Sequence, residues 1–223
     1  MGKLLSQQQI NSYQEEGFIS PIEVMFEDDA LSYAQRLEAA EANYPVDLTG
    51  VNRNNAHLCF TFLDELAYHP RVLDAVENLL GPNFFLWGSV LFIKEPKSSH
   101  FVSWHQDATY MHISPRNFVT PWIALTHSDR HTGCMSMIPG SHVNDIQPHT
   151  DTYGEDNILT RGQEVINVDP SQAVDLILKP GQMSLHHAMT IHGSQPNQSQ
   201  HQRRIGFPLQ SFMPAGAAGY WPE

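Results

Sequence analysis

The residues in this chain best suited to chemistry are His105, Asp107 and His192. In the run WHQDATY, His105 and Asp107 stand two positions apart, and on a strand such positions face the same side. His192 comes much later, at the end of an apolar-alternating stretch and just before Gly193 and Ser194, where the backbone can approach a ligand. Two imidazoles and one carboxylate leave three positions open on a metal, the arrangement expected of an oxygen-activating Fe(II) site. Zinc more often recruits Cys or a third His, and no third one is spaced for it. Past His192 lie Arg203 and Arg204. A guanidinium pairs bidentately with a carboxylate, which a keto acid chelating a metal through one end would need at its other end. Either arginine could serve.

The elements that must position these side chains change character along the chain. Residues 1–80 read as mostly helical. Ser6 caps a first helix that stops at Gly17, and Leu31, Ala34, Leu37 and Ala40 mark a second over Asp28–Ala42. Pro70 opens a third, with Val72, Leu73, Val76, Leu79 and Leu80 on its apolar side and Gly81 as its stop. Between the second and third, residues 46–62 read as loop with a short extended piece. From residue 84 the chain becomes aromatic and β-branched, with candidate strands at Phe84–Lys94, Phe101–Gln106, Trp122–Ser128, Cys134–Pro139, Val174–Lys179, Met183–His192 and Arg204–Phe212. Helices first and short strands after predict a mainly β fold with flanking α-helices, of the jelly-roll kind. One domain is expected over 1–223, with 84–214 as its β core. The polar stretch His142–Ser171 reads as a lid or an insertion. His186 and His187 adjoin on the expected distal-His strand, one inward and one outward, and read as structural. Trp87, Phe92 and Trp104 read as core.

Composition removes several classes of function. The net charge of −12, with only twelve Lys and Arg, predicts no nucleic-acid partner and no anionic-membrane surface. No apolar run reaches membrane-spanning length, and the polar N-terminal run is not that of a signal peptide, so a cytoplasmic protein is expected. Two cysteines, Cys59 and Cys134, cannot make a disulfide framework and are expected to be buried thiols. Thirteen histidines are an excess that justifies the search for metal-ligand spacing. The sequence leaves the oligomeric state open, although Tyr220 and Trp221 near the C-terminus could pack on a neighbour.

The stretches LDAVENLLGPN, LFIKEP, VSWHQDATY, VTPWIALTHS, GCMSMIPGSH and IHGSQPNQSQHQRRIG, in that order, resemble the phytanoyl-CoA dioxygenase family. The resemblance runs from about Asn54 to Pro214. It implies a double-stranded β-helix (cupin-like) core, Fe(II) on His105, Asp107 and His192, and 2-oxoglutarate and O₂ as co-substrates. It further implies that Ser194 and a distal arginine hold the far carboxylate of 2-oxoglutarate. The linker before RRIG is one residue longer than usual; the match of the residue before Ile-Gly favours Arg204, with Arg203 as the alternative. Lys94 and Trp122 fall where the family lines the co-substrate pocket. The reaction implied is decarboxylation of 2-oxoglutarate to succinate coupled to hydroxylation of a C–H bond.

Retention of Asp107 disfavours a halogenase, which needs a small residue there to admit halide. A cupin-type metalloenzyme without a keto acid would have no use for the arginine pair, and a non-enzymatic binding module would make the whole set coincidental. The substrate is expected to be a small polar metabolite, with a carboxylate or aminophosphonate met by Arg53, Lys97 or Arg116. His112, just past the motif tyrosine, is a further candidate for substrate contact.

Overall fold

The computed structural model describes residues 4–111, 117–159 and 161–213, so His112, Arg116, Tyr220 and Trp221 lie outside the described residues. Chain order begins with helix α1 (Gln7–Glu16), strand β1 (Phe18–Glu23) and helix α2 (Glu27–Asn43). Two 3-10 turns follow, Gly50–Arg53 and Ala56–Leu58, then helices α3 (Thr61–Ala67) and α4 (Pro70–Leu80). The strands β2 (Phe85–Ser89), β3 (Phe92–Lys94) and β4 (Val102–His105) lead to the short helix α5 (Ala108–Met111). Then come β5 (Phe118–Ala124), β6 (Met135–Met137), β7 (His149–Asp151), β8 (Gln163–Val165) and β9 (Val174–Leu176). β10 (Gln182–His187), β11 (His192–Ser194) and β12 (Arg204–Phe212) complete the order.

Two of the expected helices form where their caps place them, and α2 forms without a side-chain cap. Ser6 and Gln9 make a reciprocal capping box on α1, and Gly17 ends it at φ 83°. α4 starts at Pro70 and stops at Gly81 as read. Two features of residues 1–80 differ from the reading. FISPIE is a strand that joins the main sheet beside β10, and the stretch read as loop over 46–62 ends inside a further helix, α3, which begins at Thr61. Both segments are too short for a helical or strand period to stand out, and their apolar residues are recruited by the sheet and the neighbouring helices.

All strand pairs are antiparallel. A six-stranded sheet runs β1-β10-β5-β12-β2 with β3 also on β12, and a four-stranded sheet runs β4-β11-β6-β9. The two face each other through Trp122 and Ala124 on one side and Met135, Met137 and Leu176 on the other. This is the double-stranded β-helix core. Val119, Ile123, Ile205 and Phe207 turn to the outer face of the large sheet, where they pack with Leu37, Leu63, Leu66 and Val76 of the helices. Both faces of β5 are therefore buried, and its seven residues show no inside-outside alternation in polarity.

The expected strand at Met183–His192 is two strands. β10 belongs to the large sheet and β11 to the small one, with a turn at Ala188–Ile191 between them. Phe84–Lys94 likewise divides into β2 and β3. Residues 142–171 carry the β7–β8 hairpin, tied to β4 where Ser103 Oγ donates to Gln163 O at 2.7 Å. Cys59 is exposed, against expectation, while Cys134 is buried, and both are free thiols. Trp87 is also exposed rather than core. Among the described residues no helix is long and apolar enough to cross a membrane.

Candidate active site

β4 ends at His105, and Asp107 lies two residues past it, at the entry to α5. The reading of both on one strand is thus corrected, because Thr109 and Tyr110 N–H bond back to Gln106 and Asp107 and turn the chain. The two side chains still share a side. The intervening Gln106 is buried elsewhere, donating to Met189 O at 2.8 Å. β11 pairs with β4 so that His192 sits opposite His105, and one ligand atom each from His105, Asp107 and His192 lie within 4.8 Å of one another.

The protonation of these groups follows from their partners. His105 Nδ1 lies 2.9 Å from Ser103 O and His192 Nδ1 lies 2.9 Å from Thr190 O. A carbonyl only accepts, so each Nδ1 carries a proton and each Nε2 presents a lone pair when the ring is neutral. Burial, with His105 alongside, pushes the pKa of His192 down to about 3. Burial alone would raise Asp107, but His192, His105 and His186 outweigh it and hold its carboxyl well below the usual range. The Nε2 atoms of His105 and His192 stand 3.4 and 3.7 Å from Asp107 Oδ1. Two imidazole nitrogens and an ionised oxygen thus converge on one point, a donor set suited to a divalent cation.

A cavity of about 500 Å³ opens from this point, lined among others by Trp122, Ser194 and Arg204. Arg204 is 1% exposed, and no acid among the described residues pairs with it. Its Nη1 donates to Gly133 O, its Nε has no partner, and its guanidinium lies 5.0 Å from the Trp122 ring centre. Burial lowers its pKa to about 10, so it remains a cation at neutral pH. Lys94, its cross-strand partner, is fully buried behind the cavity wall. Its Nζ donates to Ser194 Oγ at 2.6 Å and Gln195 O at 2.5 Å. Burial, and then the charge of Arg204, push Lys94 down to about 6. Buried cations without an acid are costly unless a ligand supplies the anion.

Two glycines build this corner. Gly133, at φ +76°, passes so near Gln195 that a Cβ would stand 2.2 Å from its carbonyl oxygen. Gly206 lies under the Trp122 indole, where a Cβ would meet Cζ2 at 1.9 Å.

Arg203 has a different role from its neighbour. It bonds Glu41 at 2.6 and 2.9 Å and Glu95 at 2.7 Å, on the outer side of the sheet. Arg53 lines the cavity, held by Leu48 O at 3.1 Å and Glu41 at 3.4 Å, whereas the exposed Lys97 does not line it. Phe92, expected in the core, also lines the cavity. His186 and His187 do alternate: His186 is buried at the cavity, and His187 is on the far face near Tyr13 and His142. Thr120, which no pattern in the sequence marks, donates to Asp107 Oδ2 at 3.1 Å. Its strand starts at Phe118, four residues before the expected start at Trp122.

The fold and the site together define a non-haem iron oxygenase scaffold of the double-stranded β-helix type. The sequence profile of the phytanoyl-CoA dioxygenase (PhyH) family matches residues 3–205, and the chain belongs to that family, whose members use Fe(II), 2-oxoglutarate and O₂. A "Probable alpha-ketoglutarate-dependent hypophosphite dioxygenase" of Stutzerimonas stutzeri is 31% identical over 170 residues, 75% of this chain and 57% of that protein. The peroxisomal phytanoyl-CoA dioxygenase of Bos taurus is 34% identical over 136 residues, 59% of this chain and 40% of that protein. The chain thus spans about half the length of these curated relatives. Among solved structures, the apo form of the non-heme monooxygenase ThoJ superposes with a TM-score of 0.81 at 28% identity. That match covers 93% of this chain and 78% of the other.

Proposed function

We propose that this chain is an Fe(II)- and 2-oxoglutarate-dependent dioxygenase that hydroxylates a C–H bond of a small polar metabolite bearing an anionic group. The observation that carries the reading is the buried, acid-free Arg204 and Lys94 beside a two-histidine, one-carboxylate cluster. His105, Asp107 and His192 would hold Fe(II), which supplies oxygen activation when bound. Arg204 and Ser194 would receive the far carboxylate of 2-oxoglutarate, with Trp122 fixing the guanidinium plane and Lys94 orienting Ser194 Oγ. The remaining space, which Arg53 also lines, would take the substrate, and the apolar wall around Ile93 and Leu91 would exclude water. Family membership supports the reaction class. The anionic substrate is supported by Arg53 and by a relative named for a phosphorus oxyanion. Asp107 occupies the place a halide would need, which favours hydroxylation.

The test is succinate release from 2-oxoglutarate in the presence of Fe(II) and O₂, run against a metabolite pool and read by mass spectrometry. A +16 product together with succinate is expected, and His105→Ala should abolish both. Turnover without succinate would point to a keto-acid-independent metalloenzyme. No turnover with any pool, together with Fe(II) binding unchanged by His105→Ala, would remove the reading altogether.

A further inference from the structure

We infer that His186 is a positioning residue for the metal site, acting with Thr120 to hold one oxygen of Asp107 so that only the other is offered to the ion. The inference rests on the metal-site reading above and adds a residue pair from the opposite sheet. The two oxygens of Asp107 have different surroundings. Oδ1 faces His105 and His192 at 3.4 and 3.7 Å, while Oδ2 is met by Thr120 Oγ1 at 3.1 Å and His186 Nε2 at 3.5 Å.

His186 is 1% exposed, and its Nδ1 has no hydrogen-bond partner. Its Nε2 faces Asp107 Oδ2 at 3.5 Å, and its ring centre lies 4.8 Å from that of His192. An ionised carboxylate only accepts, so the neutral ring that suits this contact carries its proton on Nε2, facing Oδ2 across 3.5 Å. That tautomer is the reverse of the one His105 and His192 adopt, whose protons are on Nδ1. His186 is also no fourth ligand in this arrangement, because it lies outside the group of donor atoms within 4.8 Å of one another.

The fold explains why these two residues act together. His186 on β10 and Thr120 on β5 are directly opposed in the large sheet. Asp107 follows β4, a strand of the small sheet, in the turn before α5. The contact therefore spans the interior and fixes the carboxylate against the sheet that carries Arg204. With Oδ2 engaged, Asp107 would offer a metal one oxygen, whereas a carboxylate freed from the clamp could turn and offer both.

The experiment uses the full chain loaded anaerobically with Co(II), and separately with Fe(II) and 2-oxoglutarate, in wild type, His186→Phe, His186→Gln and Thr120→Val. Outer-shell partners of metal ligands typically contribute about ten- to a hundredfold in metal affinity. His186→Phe should weaken Co(II) binding by about that factor and shift both the Co(II) ligand-field bands and the visible band of the Fe(II)–keto acid complex. His186→Gln, which keeps an N–H donor, should recover most of the affinity, and Thr120→Val should weaken it less than His186→Phe. A residue that only fills space would lower the melting temperature and leave the Co(II) spectrum unchanged. Wild-type affinity and spectra in His186→Phe would overturn the inference. If that variant fails to fold, wild-type affinity and spectra in Thr120→Val would do so. A wild-type chain that binds no Co(II) would instead remove the metal-site reading.

Discussion

Replacing Arg204 by Met should act in opposite directions on ligand binding and on the stability of the ligand-free protein. The guanidinium is buried beside Trp122 with no acid to neutralise it. Under the proposed function its value in binding would be a charge-assisted contact with the far carboxylate of 2-oxoglutarate, and truncating one partner of such a pair costs about 2–4 kcal/mol. That corresponds to a rise in KM for 2-oxoglutarate of roughly thirty- to seven-hundredfold. Without ligand, Met removes an uncompensated buried charge while filling much of the same volume. Gly133 O, which loses Arg204, keeps a contact with Lys94 Nζ at 3.4 Å. The melting temperature of the ligand-free variant should therefore equal or exceed that of wild type. Arg203→Met is the control. It breaks ion pairs to Glu41 and Glu95, should cost about 1 kcal/mol of stability, and should leave KM for 2-oxoglutarate within about threefold. Succinate release against 2-oxoglutarate concentration and thermal melts of the ligand-free proteins decide the matter. An unchanged KM in Arg204→Met, or a larger change in Arg203→Met, would refute the assignment of the cation.

Three further outcomes follow from the same corner. Lys94 has a folded pKa of about 6 in the ligand-free protein, so it is neutral at pH 7.5 there, and an incoming dianion favours its charged form. Binding of 2-oxoglutarate should thus take up a proton above about pH 6, and its affinity should fall as pH rises. Calorimetry in buffers of different ionisation enthalpy should show this uptake, and Lys94→Met should abolish it. In the ligand-free protein the same lowered pKa means that the unfolded chain binds more protons between about pH 6 and 10.4. Lys94's contribution to stability should therefore increase with pH across that window, and Lys94→Met should flatten the increase in urea melts. Gly206→Ala should displace the Trp122 indole, cost about 1–3 kcal/mol in denaturant midpoint, and raise KM for 2-oxoglutarate together with a change in Trp fluorescence.

What the sequence makes legible here is what local period controls. His105 and Asp107 could be paired because two positions along a chain suffice to bring side chains to one side, even though Asp107 proved to lie past the end of its strand. His192 was readable from the Gly-Ser that follows it. His186 was not, because its role depends on β10 entering the large sheet while β11, a few residues on, enters the small one. No local pattern reports that parting. The choice between Arg203 and Arg204 is a different case, since the deciding information lies in the next six residues. Ile205, Phe207 and Leu209 are the apolar set that must face the helices, and they are buried there. A strand has a period of two, so residues 204, 206 and 208 must face the interior, which is what Arg204, Gly206 and the Trp122 stacked between them require. Arg203 then falls on the helix side, where Glu41 of α2 meets it. The register set by three apolar side chains therefore turns Arg204 to the interior and Arg203 to the helices.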